Sequence, residues 1–164
     1  MNIYLNFDGV LHPDEVHFSE GRMPALATRG HKPFEHANVL SDLLTPYPKA
    51  TIVLNTWWTF FLGVDDCLAM LPWALAHRVI GTTLKRASAY TRMPTRVSEA
   101  ADHVAQRHEP FPLILDHNKS RYSSELVPHV VLLRAENGLS SSPAQQFIVR
   151  RLAAIQSLEN NSYA

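Results

Sequence analysis

Five short apolar runs, each closed by polar or turn-forming residues, punctuate the chain. The first is Asn2 to Asn6, ending against Asp8-Gly9, and the second is Thr51 to Asn55. The third is Arg78 to Gly81, and the fourth is Leu113 to Leu115, ending on Asp116. The fifth, His129 to Leu133, precedes a turn at Asn137-Gly138. Runs this short, without period-two alternation, suit strands covered on both faces. The segments between them have helical spacing. Phe34, Ala37, Leu40, Leu43 and Leu44 make one apolar stripe, ended by Pro46 and Pro48. Val97, Ala100, Ala101, Val104 and Ala105 make a second, and Phe147, Ile148, Leu152 and Ile155 a third. Ser142 before Pro143 is a start signal for the last helix. Alternation of strand and helix predicts one α/β domain over residues 1–164, with a mainly parallel sheet. Right-handed crossovers then place helices on both of its faces.

One segment breaks the pattern. Residues 12–33 hold Pro13, Gly21, Pro24, Gly30 and Pro33 without sustained periodicity. Long irregular insertions in compact domains are usually lids or binding loops, so a small cap over the strand ends is expected; a surface Ω-loop is the plainer alternative.

Composition narrows the class. Apolar residues make up 46% and charged residues 18% of the 164, which excludes a disordered or highly charged fibrous chain. Fifteen basic residues balance fifteen acidic ones, so wrapping of nucleic acid by net charge is disfavoured and only a local patch remains. A single cysteine, Cys67, cannot form an internal disulfide. The N-terminus lacks signal-peptide features, and the most apolar stretch, Ile52 to Val64, is too short to span a bilayer. The expectation is a soluble cytoplasmic protein with no membrane partner.

Ligands of open parallel sheets bind at the carboxyl ends of the strands. The residues there are Asn6, Asp8 and Gly9; Asn55 and Thr56; and Asp116 and His117. All but Gly9 are polar, and the fold converges them from distant positions in sequence.

The run Asn6-Phe7-Asp8-Gly9-Val10-Leu11-His12-Pro13 resembles the first motif of the haloacid dehalogenase (HAD) superfamily, Asp-x-Asp-Gly-Val-Leu, with Asn6 at its first position. The resemblance is closest to HAD domains associated with RNA-repair proteins. It extends through Ile52 to Thr56 with Trp58, Leu71-Pro72, Arg78 to Gly81, Leu115-Asp116 and Gly138-Leu139. It implies a three-layer Rossmann-like fold with a small cap, and a phosphohydrolase-type site requiring Mg²⁺. By that resemblance, position 6 is the nucleophile, Asp8 the general acid and base, and Gly9 lets the backbone approach a phosphate. Asn55 or Thr56 would bind a phosphoryl oxygen, and Arg96, with Lys85 as alternative, would neutralise its charge. Asn6, Asp8, Asp116 and His117 stand at the metal positions.

The departures from the motif set the expected function. A carboxamide at position 6 is a poor nucleophile and removes one negative charge from the metal site, weakening Mg²⁺ binding. Asn55 stands where relatives place Ser, and His117 where a second Asp is frequent. The first expectation is a phosphohydrolase relative that binds a phosphorylated small molecule or nucleic-acid end with impaired turnover. One alternative is an active Mg²⁺-dependent phosphatase whose nucleophile Asp has been exchanged for Asn6, or which works through Asp8 or His117. The other is a non-catalytic nucleic-acid or protein binding module.

Weaker signals surround this set. Residues 78–96 carry five bases and no acid: Arg78, Lys85, Arg86, Arg92 and Arg96. With Tyr90 interleaved, the segment reads as a local phosphate or nucleic-acid contact, Arg92 included, or as an ordinary solvated loop. Among nine histidines no zinc spacing stands out, but His12 follows the first motif and is a ligand-facing candidate. Trp57, Trp58, Phe60 and Phe61 read as core, Asp65-Asp66 as a solvated face and Cys67 as a packing residue.

Overall fold

In the computed structural model, which describes residues 1–19, 21–84 and 95–162, the alternation of strand and helix is realised. The first half contains β1 (Asn2–Leu5), β2 (Val16–His17), β3 (Ala25–Leu26), α1 (Ala37–Leu44), β4 (Thr51–Leu54), α2 (Trp57–Phe61), α3 (Val64–Met70) and α4 (Trp73–Ala76). The second half contains β5 (Val79–Thr82), α5 (Arg96–Arg107), β6 (Leu113–His117), β7 (Val130–Leu133) and α6 (Ser142–Ser162). Five strands form one sheet in the order β5-β4-β1-β6-β7, and every neighbouring pair is parallel. Strand order reverses between β1 and β6, and a crevice opens at their carboxyl ends. This is the Rossmann-like α/β architecture expected from the sequence.

Side chains of successive strand residues point to opposite faces, and the two faces differ. Ile3, Leu5, Ile52, Leu54, Leu113 and Leu115 belong to the main core, with Leu40 and Leu44 of α1 and Ile148 and Leu152 of α6. Tyr4, Val53 and Ile114 form a much smaller cluster, packed by Ala101 and Val104 of α5 and by Tyr122 and Leu126.

Helix boundaries differ from the stripes where tertiary hydrogen bonds intervene. Phe34 lies outside α1 with φ +61°, because its N–H donates to His12 and the His36 N–H donates to the Leu11 carbonyl. Its ring packs edge-on against Phe7 and Trp58 instead. The fifth strand begins at Val130 because Val127–His129 forms a 3-10 turn containing Pro128. α5 is capped by the Thr95 hydroxyl, which accepts the Ser98 N–H, and ends on left-handed His108.

The irregular segment after β1 folds back as the antiparallel ladder β2–β3. Phe18, just beyond β2, stacks on Phe61 at 4.9 Å and meets Trp57 and Trp58 edge-on. Asp65 and Asp66 are exposed in the first turn of α3, and Cys67 is fully buried, its thiol pushed up to about 12 chiefly by burial. Among the described residues, no helix is long and apolar enough to cross a membrane.

Candidate functional site

Sheet register assembles the site. Leu5 pairs with both Leu54 and Leu115, so the next residues on the three central strands, Asn55, Asn6 and Asp116, lie side by side. Backbone bonds from the Asn6 N–H to the Leu115 carbonyl and from the Asn55 N–H to the Leu5 carbonyl carry the ladder to that level. The three side chains are completely buried and fall on the α5 side of the sheet.

Asp116 is the hub. Its Oδ1 accepts from Asn6 Nδ2 at 2.9 Å and from the His117 N–H at 2.8 Å. Its Oδ2 accepts from Arg96 Nη1 at 2.7 Å and from the Tyr122 hydroxyl at 2.7 Å. Burial alone would raise its pKa, but the Arg96 charge, followed by His117 and the Tyr122 and Arg96 hydrogen bonds, holds it below the ordinary value. Tyr122 is driven the other way: burial and the adjacent Asp116 charge raise its phenol far above the usual range. Arg96 is anchored on its other side too. Nη2 donates to His117 Nε2 at 3.1 Å and to Ser120 Oγ at 3.3 Å, and the guanidinium lies 5.4 Å from the Trp57 ring centre. Burial holds the His117 imidazole below its ordinary pKa, assisted by the Arg96 charge and opposed by Asp116.

Asn6 is a donor toward this hub. Nδ2 bonds the Asp8 main-chain carbonyl at 2.7 Å as well as Asp116, and Oδ1 accepts the Phe7 N–H at 2.9 Å. Both Nδ2 partners are acceptors, which fixes the orientation of the amide. Asp8 is held from the opposite side. Trp58 Nε1 donates to its Oδ1 at 2.7 Å, and His12 Nε2 lies 3.1 Å from the same oxygen. Because the Phe34 N–H donates to His12 Nδ1, the His12 proton sits on Nε2 and is donated to Asp8. Gly9 makes the turn possible: its φ is +69°, and a Cβ there would fall 2.5 Å from His117 Cβ. Gly138 closes the same loop from behind, where a Cβ would lie 2.5 Å from the Val10 carbonyl oxygen.

Above the network a cleft of about 710 Å³ opens. Of the residues expected at the site, Asp8, Arg96 and His117 line it. Lys119, Ser120 and Arg121 line it from the loop after β6, while Phe18 and Trp57 supply an aromatic wall. Lys119 Nζ pairs with Asp14 at 2.7 Å at the rim. The structure therefore brings Asn6, Asp8, Gly9, His12, Arg96, Asp116 and His117 into one constellation.

The family match falls on this same region. The family described as the HAD domain in Swiss Army Knife RNA repair proteins has a model that matches residues 2–144. The chain belongs to this family. No curated protein and no solved structure matches it.

The HAD scaffold is of phosphohydrolase type and generally depends on Mg²⁺, so the donor set at the strand ends tests the fit of that ion. All four acceptor positions of the Asp116 carboxylate are engaged by N–H or O–H donors. Asn6 presents a nitrogen, not an oxygen, to Asp116 and to the Asp8 carbonyl. Among the described residues, no group of three or more His, Cys, Asp or Glu side chains is arranged to hold a metal. A hard cation needs oxygen ligands, and the arrangement present does not fit one.

Thr56, Asn55 and Arg78 do not line the cleft. Thr56 is buried as the cap of α2, its Oγ1 accepting the Trp58 N–H. Asn55 Oδ1 accepts from the Thr83 hydroxyl at 2.8 Å. Its amide interacts with the Tyr122 phenol, yet Nδ2 makes no hydrogen bond of good geometry among the described residues. Arg78, counted with the basic segment, is turned inward: its guanidinium donates to the carbonyls of Leu44, which ends α1, and of Tyr47 and Ala50 beyond it. Lys85, Arg86, Tyr90 and Arg92 lie outside the described residues. Trp58 and Phe60 are core, as expected, but Trp57 faces the cleft.

Sequence reasoning missed Tyr122, Lys119 and Arg121. The available signal was the polar run His117-Asn118-Lys119-Ser120-Arg121-Tyr122 directly after a buried strand.

Proposed function

We propose that this HAD domain binds a phosphorylated ligand, a nucleotide or a nucleic-acid end, in the cleft at the strand ends, without forming an aspartyl-phosphate. The observation that carries this reading is Asn6. Covalent phosphoryl transfer needs a carboxylate oxygen to attack phosphorus while the leaving group departs. Asn6 has no such oxygen: its Nδ2 is committed to Asp8 and Asp116 and its Oδ1 to the Phe7 N–H.

The cleft supplies what binding requires. Lys119 and Arg121 offer charge at the rim for phosphate oxygens, and the hydroxyl of Ser120 lines the wall beside them. The Phe18–Trp57 wall offers a surface on which a base can stack. Asp8, facing the cleft with Oδ1 held by Trp58 and His12, is placed to accept a hydrogen bond from a ligand hydroxyl or water.

The test is phosphate release from an aryl phosphate and a 3′-phosphorylated oligonucleotide, with Mg²⁺, by the unmodified chain and by Asn6→Asp. Binding of the same oligonucleotide is followed by fluorescence anisotropy. The expected result is saturable binding without release by the unmodified chain. Release that co-purifies with the unmodified chain and disappears in Asp8→Asn would overturn the reading.

A further inference from the structure

The disagreement between the scaffold and its donor set points to a specific replacement. We propose that the Arg96 guanidinium and the Asn6 carboxamide together stand in for the divalent cation, so that the strand-end site is neutralised from within and holds no metal.

The geometry of Asn6 carries the first half. Nδ2 lies between two oxygens, the Asp8 carbonyl at 2.7 Å and Asp116 Oδ1 at 2.9 Å. Two oxygen acceptors converging on one point are what a hard cation would use, and here an N–H₂ group occupies that point. An aspartate at position 6 would set an oxygen against both of them, which is repulsive unless a cation or proton intervenes.

Arg96 carries the second half. A buried carboxylate needs a counter-charge and hydrogen bonds, and Asp116 obtains the charge from Nη1 at 2.7 Å. The guanidinium is not a surface group that swings aside. It is 8% exposed, tied to His117 and Ser120 by Nη2, and packed over Trp57. Its position in the first turn of α5, behind the Thr95 cap, fixes its backbone. A metal approaching Asp116 would have to displace one of its four donors, Asn6 or the His117 N–H at Oδ1, Arg96 or Tyr122 at Oδ2, and would meet the guanidinium charge at short range.

This claim about the cation rests on the network alone and stands apart from the proposed ligand, so the two fail separately. Mn²⁺ is titrated into the ¹⁵N-labelled chain, and paramagnetic broadening of amide resonances locates any bound ion. The Phe7, Gly9 and His117 amides are expected to keep their intensity at equimolar Mn²⁺, and the midpoint of thermal unfolding should agree within about 1 °C between Mg²⁺ and EDTA. Selective broadening of those amides, reversed by Mg²⁺, would overturn the proposal. The double variant Asn6→Asp/Arg96→Ala restores the missing carboxylate and removes the internal cation. It is expected to gain Mn²⁺ broadening at the same amides and an unfolding midpoint raised by Mg²⁺. A folded double variant blind to Mn²⁺ would overturn the assignment of these two residues as the replacement; should it not fold, the titration of the unmodified chain decides.

Anisotropy of the 3′-phosphorylated oligonucleotide, with ionic strength matched by NaCl, separates the ligand question. Affinity equal within about twofold in EDTA and in Mg²⁺ supports both proposals. Binding that requires Mg²⁺ overturns the internal-cation proposal and keeps the ligand. Absence of binding in either condition ends the ligand reading, and the amide titration still decides the cation.

Discussion

The two faces of the central sheet are held by different physics. On one, α1 and α6 cover the strands with Leu40, Leu44, Ile148, Leu152 and Ile155, and the side chains there are almost wholly apolar. On the other, α5 covers a cluster built on Tyr4, Val53 and Ile114, and the layer continues into the strand ends as Asn6, Asn55, Asp116 and Arg96. The first face is stabilised by area removed from water and tolerates substitution in proportion to volume. The second is stabilised by pairing of donors and acceptors around Asp116, though not at Asn55 Nδ2, and removing a partner there leaves a buried charge exposed to the full cost of desolvation. The cleft lies beside the second face, lined by Val97 and Ala101 of α5 and by Leu126.

Removing Arg96 strains that contrast most. Arg96→Ala leaves Asp116 buried without its counter-charge, and the expected loss of unfolding free energy is about 3–5 kcal/mol. On the apolar face, Leu152→Ala is expected to cost a similar amount, about 2–5 kcal/mol, through lost burial and the cavity left behind. Urea unfolding measures both, and a double-mutant cycle tells them apart. Arg96→Ala combined with Asp116→Asn should be less destabilised than the sum of the two changes, by about 1–3 kcal/mol. Additive losses would mean that the two side chains do not act as one unit.

How much of this was legible in the sequence follows the same division. The apolar face announces itself: continuous runs such as Ile52-Val53-Leu54 and spaced stripes such as Leu40, Leu43 and Leu44 are local patterns, and each produced the element expected of it. The first motif was also legible, because Asp8-Gly9 closes a buried strand and Gly9 demands a left-handed turn. Three donors to Asp116, Asn6, Arg96 and His117, were named as site residues, but Tyr122 and the pairing of all four with Asp116 were not legible. Tyr122 and Arg96 reach it from 6 and 20 residues away in the chain, and no spacing rule encodes a contact made only when α5 packs on β6. Arg78 is the reverse case. It looked like part of a basic loop, yet it supplies hydrogen bonds to three carbonyls at and beyond the end of α1, a need visible only once the chain is folded. Trp57 and Trp58 are adjacent and divide between cleft and core, since neighbouring positions on a helix face different directions.

A smaller change sharpens the polar side. Tyr122→Phe removes one of four donors to Asp116 while keeping the ring that packs with the Tyr4 cluster. Hydrogen bonds to a charged group are worth about 1.5–3 kcal/mol, so a loss near the lower end is expected with Arg96 still in place. The acid limb of stability should also move toward neutrality, because Tyr122 is among the groups that hold the Asp116 pKa down. Urea midpoints measured from pH 3 to pH 7 test both parts, and an unchanged acid limb would remove Tyr122 from the set that keeps Asp116 ionised.

The smallest expected effect is a drift of stability with pH, and its sign follows from three histidines. His36, His103 and His117 all titrate below their ordinary value, in each case chiefly because burial disfavours the charged ring. In the unfolded chain they protonate near pH 6.5, about the ordinary value for histidine. Between that pH and their lower folded values the unfolded chain binds more protons, so stability falls as pH drops below about 6.5. Asp116 contributes with the opposite charge but in the same direction. Its depressed pKa stabilises the fold above the ordinary carboxylate value, and that stability is lost only as pH falls further, through the folded value. Two separate limbs are therefore expected, a histidine drift starting near neutrality and a steeper carboxylate loss at more acid pH. His103 and His117 belong to the α5 side, where His103 Nδ1 lies 3.0 Å from the Tyr4 hydroxyl, while His36 precedes α1 on the apolar side. Replacing His103 with Gln, which retains a hydrogen-bonding group near Tyr4, should flatten part of the upper limb and leave the acid limb in place. If stability instead stays level or rises from pH 7 to pH 5, the polar face is wetter than its hydrogen bonds imply, and its contrast with the apolar face narrows accordingly.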